Sequence, residues 1–350
     1  MPGCRISPME TVFRIVSVLA VVVNALFVLL IKSKTPKMMI SYRKVLYGSC
    51  AIDGLAALSH LLIGIRPIFV KDVLSFDFTG PIPRLIDYMG WLPDGKIGYI
   101  LFFETVFMNS IVCYCFVPYT YRYFHMIRGT SFTIPKFLLL LLVYLSPAVV
   151  VATSLAGLSA QVYEKMTEFT GVAEDVCVRR VPMMDPRFYN EEPYATLAIL
   201  ANQFVHPVVV FPFLLVYFVV RIFRKLNEDV HRTSSAGIRI QKQITMTLTA
   251  QSVVPLLLVA IPFFNSCNKF AYGGDKEGAI RITMNSVCLV ALVNPIVASL
   301  MVQSYRRTIM STVTLDHLQL DTSLTSTTQP AVSAGMVSPV VAMSVKFFKI

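Results

Sequence analysis

Two carboxylates, Asp53 and Glu104, lie inside long apolar runs of this 350-residue chain, and so do Asn24 and the pair Asn294-Pro295. An ionised carboxylate in hydrocarbon costs about 2.5–3.5 kcal/mol even on the lenient insertion scale, so it should face other helices and find partners there. A proline removes one backbone donor and clashes with the carbonyl four residues back. Within a membrane, the carbonyl so freed is satisfied by a neighbouring side chain or by ordered water. The chemistry these residues offer is hydrogen bonding in a dry interior, not catalysis. The five His are scattered without metal-ligand spacing and no His-Glu-x-x-His occurs. Asp53 and Glu104 belong near opposite faces of the bilayer. No enzymatic activity, metal or cofactor is expected.

The elements that position these residues must be membrane helices. The chain is 55% hydrophobic and 15% charged, where a soluble protein carries about 25% charged residues. Seven apolar runs, 15–31, 45–65, 97–117, 137–158, 197–220, 244–264 and 280–302, approach or exceed the roughly 20 residues that a spanning helix needs. The first reads as a retained signal-anchor, since Lys32, Lys34 and Lys37 follow the run and no cleavage site is evident. Nothing alternates as a transmembrane barrel would. The expectation is an all-α seven-transmembrane bundle: an outer N-terminus (1–14), a membrane domain (15–307), and a Ser/Thr-rich tail (308–350).

Orientation follows from the basic residues. The segments after the first, third, fifth and seventh runs hold 18 of the 31 Lys and Arg, and only 4 of the acidic residues. The positive-inside rule puts those segments in the cytosol and the N-terminus outside. The cytosolic face is then about +14, suited to anionic lipid or to an acidic protein partner. The charge is no nucleic-acid footprint.

Depths can be estimated at about 1.5 Å per residue. Asn24, Asp53 and Asn294 all come out roughly 12–14 Å from the cytosolic boundary by that measure. Either they form one polar switch cluster with Pro295, or each makes an ordinary interhelical bond worth about 0.6 kcal/mol. Glu104 lies about 10 Å below the outer end of the third run, where ligand contact and structural pairing both remain open. With Asn109, Gln203, His206, Phe264 and Asn285 it could line a candidate pocket at the outer mouth.

The local wording is more specific. KTPKMMISYRK (34–44) follows the first run, PYTYRYFHM (118–126) closes the third, and SSAGIRIQKQ (234–243) leads into the Pro-bearing sixth; NP…YR closes the seventh. With these motifs the chain resembles a G-protein-coupled receptor, and is similar to the nematode serpentine chemoreceptors of the Str superfamily. The resemblance spans residues 34 to 307. It implies olfactory or other chemosensory signalling from the plasma membrane, or from a sensory cilium. An external small-molecule or peptide ligand would open a cytosolic cleft for a heterotrimeric G protein. That cleft would be lined by Tyr121, Arg122, Tyr123, Arg224, Arg239, Lys242 and Gln243, with Arg122 meeting the Gα subunit.

The departures from the wider receptor pattern are specific. Ala298 stands where Asn-Pro-x-x-Tyr has its Tyr, no acidic residue precedes Arg122, and no Cys lies near the outer end of the third run. Among the outer cysteines, Cys177 with Cys267 is the candidate disulfide. The second outer loop, roughly 159–193, is either a lid or a solvated loop. Ten of the residues 308–328 are Ser or Thr, a tail that accepts phosphate and would suit a receptor kinase and arrestin. A ligand-gated seven-helix channel or a small-solute transporter with inverted topology is the alternative.

Overall fold

The computed structural model describes residues 8–35, 37–70, 73–91, 98–130, 132–165, 181–184, 210–228 and 235–311. In chain order these form α1 (Pro8–Lys34), a short 3-10 helix (Lys37–Tyr42), α2 (Arg43–Leu62), β1 (Ile65–Val70), β2 (Val73–Phe78) and α3 (Pro81–Tyr88). Next come α4 (Gly98–Tyr114), α5 (Val117–Met126), α6 (Ile134–Lys165), β3 (Val181–Met184), α7 (Phe211–Glu228), α8 (Ser235–Tyr272) and α9 (Lys276–Met301). Residues 307–350 form a separate unit, described only through Ser311.

Among the described residues, six stretches are long and apolar enough to cross a membrane: α1, α2, α4 with α5, α6, α8 and α9. The fifth expected run is represented by α7; the part of it at 197–209 lies outside the described residues. Apolar sequence in lipid must satisfy its backbone internally, and a helix does so. The pattern is inverted relative to a soluble helix. In α1 the buried residues Ser17, Ala20, Asn24, Phe27 and Ile31 make one stripe at helical spacing, while Leu19, Val22, Leu26 and Leu29 point outward, 47–61% exposed. Where α1, α2 and α9 meet, Ala20, Ala56, Ala57 and Ala291 form a fully buried cluster with Ile111 and Val290. Small residues let helix backbones approach closely when no hydrophobic drive separates lipid from protein.

Three features depart from the expected plan. The second run ends early: α2 stops at Leu62, Gly64 turns the chain at φ 58°, and Ile65 already belongs to β1. β1 and β2 form an antiparallel hairpin, with Arg66 opposite Asp77, and β3 from the second long loop pairs with β2. The third run is two helices, broken at Cys115–Phe116, with Pro118 in the first turn of α5. By contrast α9 runs through Pro295 without a break. It starts at Lys276, capped by Asp275, whose side chain accepts from the Gly278 amide at 2.8 Å.

Two faces can be told apart by the direction of α1. The face that holds Pro8 also holds the sheet and α3, and is called the amino-terminal face. The face reached at Lys34 holds the 3-10 helix, α5 and the start of α8, and is called the basic face. The largest core cluster packs the basic half of the bundle around Tyr42, Tyr119, Tyr121, Tyr123 and Tyr305. A smaller one, with Phe76, Phe78, Ile100, Leu101, Val151 and Leu155, closes the amino-terminal half.

Candidate functional site

Midway through the bundle, Asp53 on α2 is buried, and both of its oxygens accept from the Asn294 amide of α9, at 3.2 and 3.3 Å. Ser49, one turn earlier on α2, adds a longer contact at 3.4 Å. Asn24 does not reach Asp53. Its amide donates at 2.9 Å to the carbonyl of Ala291 and to that of Ala20 in its own helix. Ala291 lies four residues before Pro295, so its carbonyl is the one that the proline leaves without a helical donor. The three polar residues therefore act as a pair and a patch around one proline.

A cavity of about 430 Å³ lies toward the amino-terminal face, between α2, α4, α6, α8, α9 and the hairpin. Its walls are mostly apolar: Met108, Val112, Leu256, Val259, Phe263 and Val287 are among them. The polar groups are few. Glu104 on α4 is 2% exposed, and its Oε1 meets His60 Nδ1 of α2 at 3.2 Å. Its second oxygen, Oε2, is buried with no hydrogen-bond partner. Asn109 also lines the cavity and donates to the Thr105 carbonyl, and Phe264 contributes one wall. Ser266 and Thr283 bridge α8 and α9 nearby at 2.7 Å.

Asn285 does not reach the cavity. Thr283, Met284, Val287 and Val290 give the facing stripe of α9, and Asn285, about 100° around the helix from Met284, donates instead to the Arg281 carbonyl at 2.8 Å. Gln203 and His206 lie outside the described residues, as does Cys177 and with it the Cys177–Cys267 pairing. His60 was missed from sequence, although it stands seven residues after Asp53, two turns along the same helix face, and is itself an ionisable group in an apolar run.

The hairpin covers this cavity. Phe76 of β2 and Ile65 of β1 line it, and Phe78 is fully buried beneath. The cover is held by charge: Arg66 pairs with Asp77 directly across the hairpin, and its Nε lies 3.5 Å from Glu10 at the start of α1. Arg14 of α1 donates to the Thr79 carbonyl at 2.6 Å. The return of the chain is tight. Gly80 donates to the Ile63 carbonyl at 2.7 Å, and a Cβ on Gly80 would run into the Leu62 and Ile63 carbonyl oxygens. Only glycine fits that crossing.

At the basic face, Arg122 of α5 is 4% exposed. Lacking an acidic neighbour, it donates to α8 instead: to the main-chain carbonyl of Gln241 at 2.5 Å and to that residue's side-chain oxygen at 3.0 Å. Gln243, two residues on, donates to the Met301 carbonyl of α9 at 2.8 Å. α5, α8 and α9 are thus tied together by neutral acceptors. Tyr121 and Tyr123 flank Arg122 and are buried. Tyr121 packs against Phe132 and Phe137, with Lys44 over its ring; Tyr123 packs against Phe218 of α7. Tyr42, in the 3-10 helix, has its phenol pushed well above its ordinary range by burial. Arg224 and Lys242 are exposed, while the side chain of Arg239 lies outside the described residues. Tyr305, fully buried, bonds Thr35 at 2.7 Å and stands edge-on to Phe27.

A membrane bundle with a covered apolar cavity near one face and a tied group of helix ends at the other defines a seven-helix receptor. The solved structure of squid rhodopsin is similar in fold, with a TM-score of 0.53 at 12% identity over 90% of this chain and 91% of that one. Comparison with curated proteins finds no match. The model of the family "Serpentine type 7TM GPCR chemoreceptor Srd" matches residues 9–311, and the chain belongs to that family. It is a multi-pass membrane receptor and not an enzyme. The family match also settles the subfamily that the sequence motifs left undecided.

Proposed function

We propose that this protein is a plasma-membrane chemosensory receptor that takes an external ligand into the cavity beside Glu104. The bound ligand opens the basic face to a heterotrimeric G protein. The observation that carries the reading is the cavity itself: about 430 Å³, apolar, roofed by Phe76, with one buried carboxylate oxygen left unpaired. Pockets of this size suit small ligands. The occupant is a small, mainly apolar molecule with one cationic or hydrogen-bond-donating group, which supplies the partner that Glu104 Oε2 lacks.

On this reading the N-terminus is outside, which the distribution of basic residues supports, and the structure described is the resting one. Arg122 is held on Gln241, and a ligand that favours an opened bundle releases it by differential affinity alone. Pro255 and Pro262 inside α8 are the hinge points for that motion. Phosphorylation of the 308–328 tail and arrestin binding would then end the signal. The family match leaves the channel and transporter alternatives without support.

The test is nucleotide exchange on a Gα subunit in membranes carrying the receptor, screened with small amines and alcohols. A responding ligand should lose potency about 100-fold with Glu104→Gln, the loss of a charged partner costing about 1.5–3 kcal/mol. Arg122→Ala should abolish exchange while surface expression and ligand binding persist. An Arg122→Ala receptor that signals normally would overturn the coupling assignment. An N-terminal tag hidden on intact cells would overturn the orientation.

A further inference from the structure

The helix α3 is not absorbed by any role above. It carries apolar residues at 82, 85, 86 and 89, the i, i+3, i+4, i+7 pattern of an amphipathic helix. One of these is packed into the protein: Ile86 joins the cluster to which Phe76, Ile100, Leu101, Val151 and Leu155 belong. Ile82, Leu85 and Met89 are 36%, 53% and 36% exposed. The helix ends at Tyr88, and Gly90 follows at φ 63°, with the Trp91 amide donating to the Ile86 carbonyl at 3.2 Å. This end is of the Schellman type, and Trp91 itself is 70% exposed. Tyr88 and Tyr99, on either side of it in sequence, are 82% and 62% exposed.

The level of this patch is set by the cluster that Ile86 joins. Ile100 and Leu101 are in the first turn of α4, and Val151 and Leu155 lie in the amino-terminal-face half of α6. The neighbours of these residues on the same helices, Phe103, Val149 and Val150, are 54%, 43% and 43% exposed, as lipid-facing residues are. The apolar edge of α3 is therefore continuous with the lipid-facing surface at its rim. Trp and Tyr concentrate at that rim, where an amphipathic ring meets headgroups. Arg84 lies on the exposed side of the helix.

We propose that α3 is an in-plane interfacial helix, seated in the phospholipid headgroup region of the leaflet on the amino-terminal face. Trp91 is its anchor. The helix begins at Pro81, directly after Gly80, so the lipid seat holds the far end of the hairpin that covers the cavity. The partner is the lipid surface, and not a second copy of the chain. In-plane helices of this kind bury their apolar face about 5–10 Å into the boundary.

The chain has a single Trp, so its own fluorescence reports this seat. The full-length receptor is reconstituted in phosphatidylcholine vesicles and excited at the red edge, where the tyrosines are silent. Bromines placed high on the acyl chain should cut Trp91 emission about twofold, the depth expected of an interfacial helix; bromines near the chain terminus and aqueous iodide should each do little. Leu85→Glu should lose that shallow quenching and shift the emission to the red. Emission quenched by iodide and indifferent to bromolipid would overturn the proposal. So would emission that ignores bromolipid but changes with the receptor-to-lipid ratio, because a second copy would then cover the face. The readout needs no ligand or G protein, so it stands or falls apart from the functional reading.

Discussion

The side-chain amide of Asn24 on α1 donates at 2.9 Å to the carbonyl of Ala291 on α9, the acceptor left over where Pro295 enters the helix. One helix thus completes the backbone of another. α9 passes through its proline unbroken, while α4 and α5, where Pro118 follows directly after the break, are two pieces. At that break the service is repeated: Ser252 of α8 donates to the Cys115 carbonyl at 3.0 Å.

A double-mutant cycle checks the Asn24 arrangement. Asn24→Ala in the natural background should cost about 1 kcal/mol, since it strands a buried carbonyl. In a Pro295→Ala background the helix supplies its own donor, and the same substitution should cost close to nothing. Thermal unfolding of the purified receptor in detergent reads both. Equal costs in the two backgrounds would separate Asn24 from the proline.

Gln241→Leu removes one of the two acceptors that hold Arg122 and leaves the main-chain one in place. Losing about 1 kcal/mol from the tied state should raise ligand-free nucleotide exchange about fivefold. Basal exchange equal to that of the natural receptor would mean that the Gln241 side chain does not restrain the opening.

Gly48 of α2 faces Tyr114 of α4, and a Cβ there would strike the phenol oxygen, which donates to the Val45 carbonyl at 2.7 Å. Gly48→Ala should destabilise the receptor by about 1–3 kcal/mol, the range for an overpacked core. Removing the oxygen with Tyr114→Phe should recover part of that loss. Melting temperatures of the two single variants and the double variant decide it; additive losses would refute the contact as the cause.

Gly80→Ala should unseat the hairpin, and with it the Phe76 and Ile65 side of the cavity, while leaving the helical walls in place, because its Cβ collides with the α2 end and not with a flexible side chain. A ligand of the cavity should then leave faster, by about tenfold if closure is worth about 1.4 kcal/mol. Dissociation of a labelled ligand after dilution measures it, and an unchanged rate would show that the hairpin is no barrier.

Most of the membrane architecture was readable from the chain because lipid makes polarity conspicuous. Asp53, Glu104, Asn24 and Asn294 stand out in apolar runs, and each is buried in the bundle. The hairpin was not readable. Its first strand, Ile65–Val70, starts at the last residue of the second apolar run, and Gly64 with Arg66-Pro67 marks the end of a span without showing that a strand follows. The burial of Tyr121 and Tyr123 was equally hidden. A Tyr-Arg-Tyr group after an apolar run looks like an aromatic membrane exit, and only the packing of Phe132, Phe137 and Phe218 shows that the bundle extends past it. Asn285 was misplaced by one residue of helix phase, which hydropathy alone cannot fix when the whole run is apolar.

The break between α4 and α5 gives the third span a lever arm. Cys115 and Phe116, at the joint, form part of the cavity floor, and Arg122 lies six residues beyond it, about 9 Å along α5. A tilt of roughly 10° at the joint would carry the Arg122 backbone about 1.5 Å sideways on such an arm. That is enough to part a contact that now spans 3.0 Å to the Gln241 side chain. In this geometry a pressure applied inside the membrane is read out at its edge as an angle, with no need for the long helices to slide.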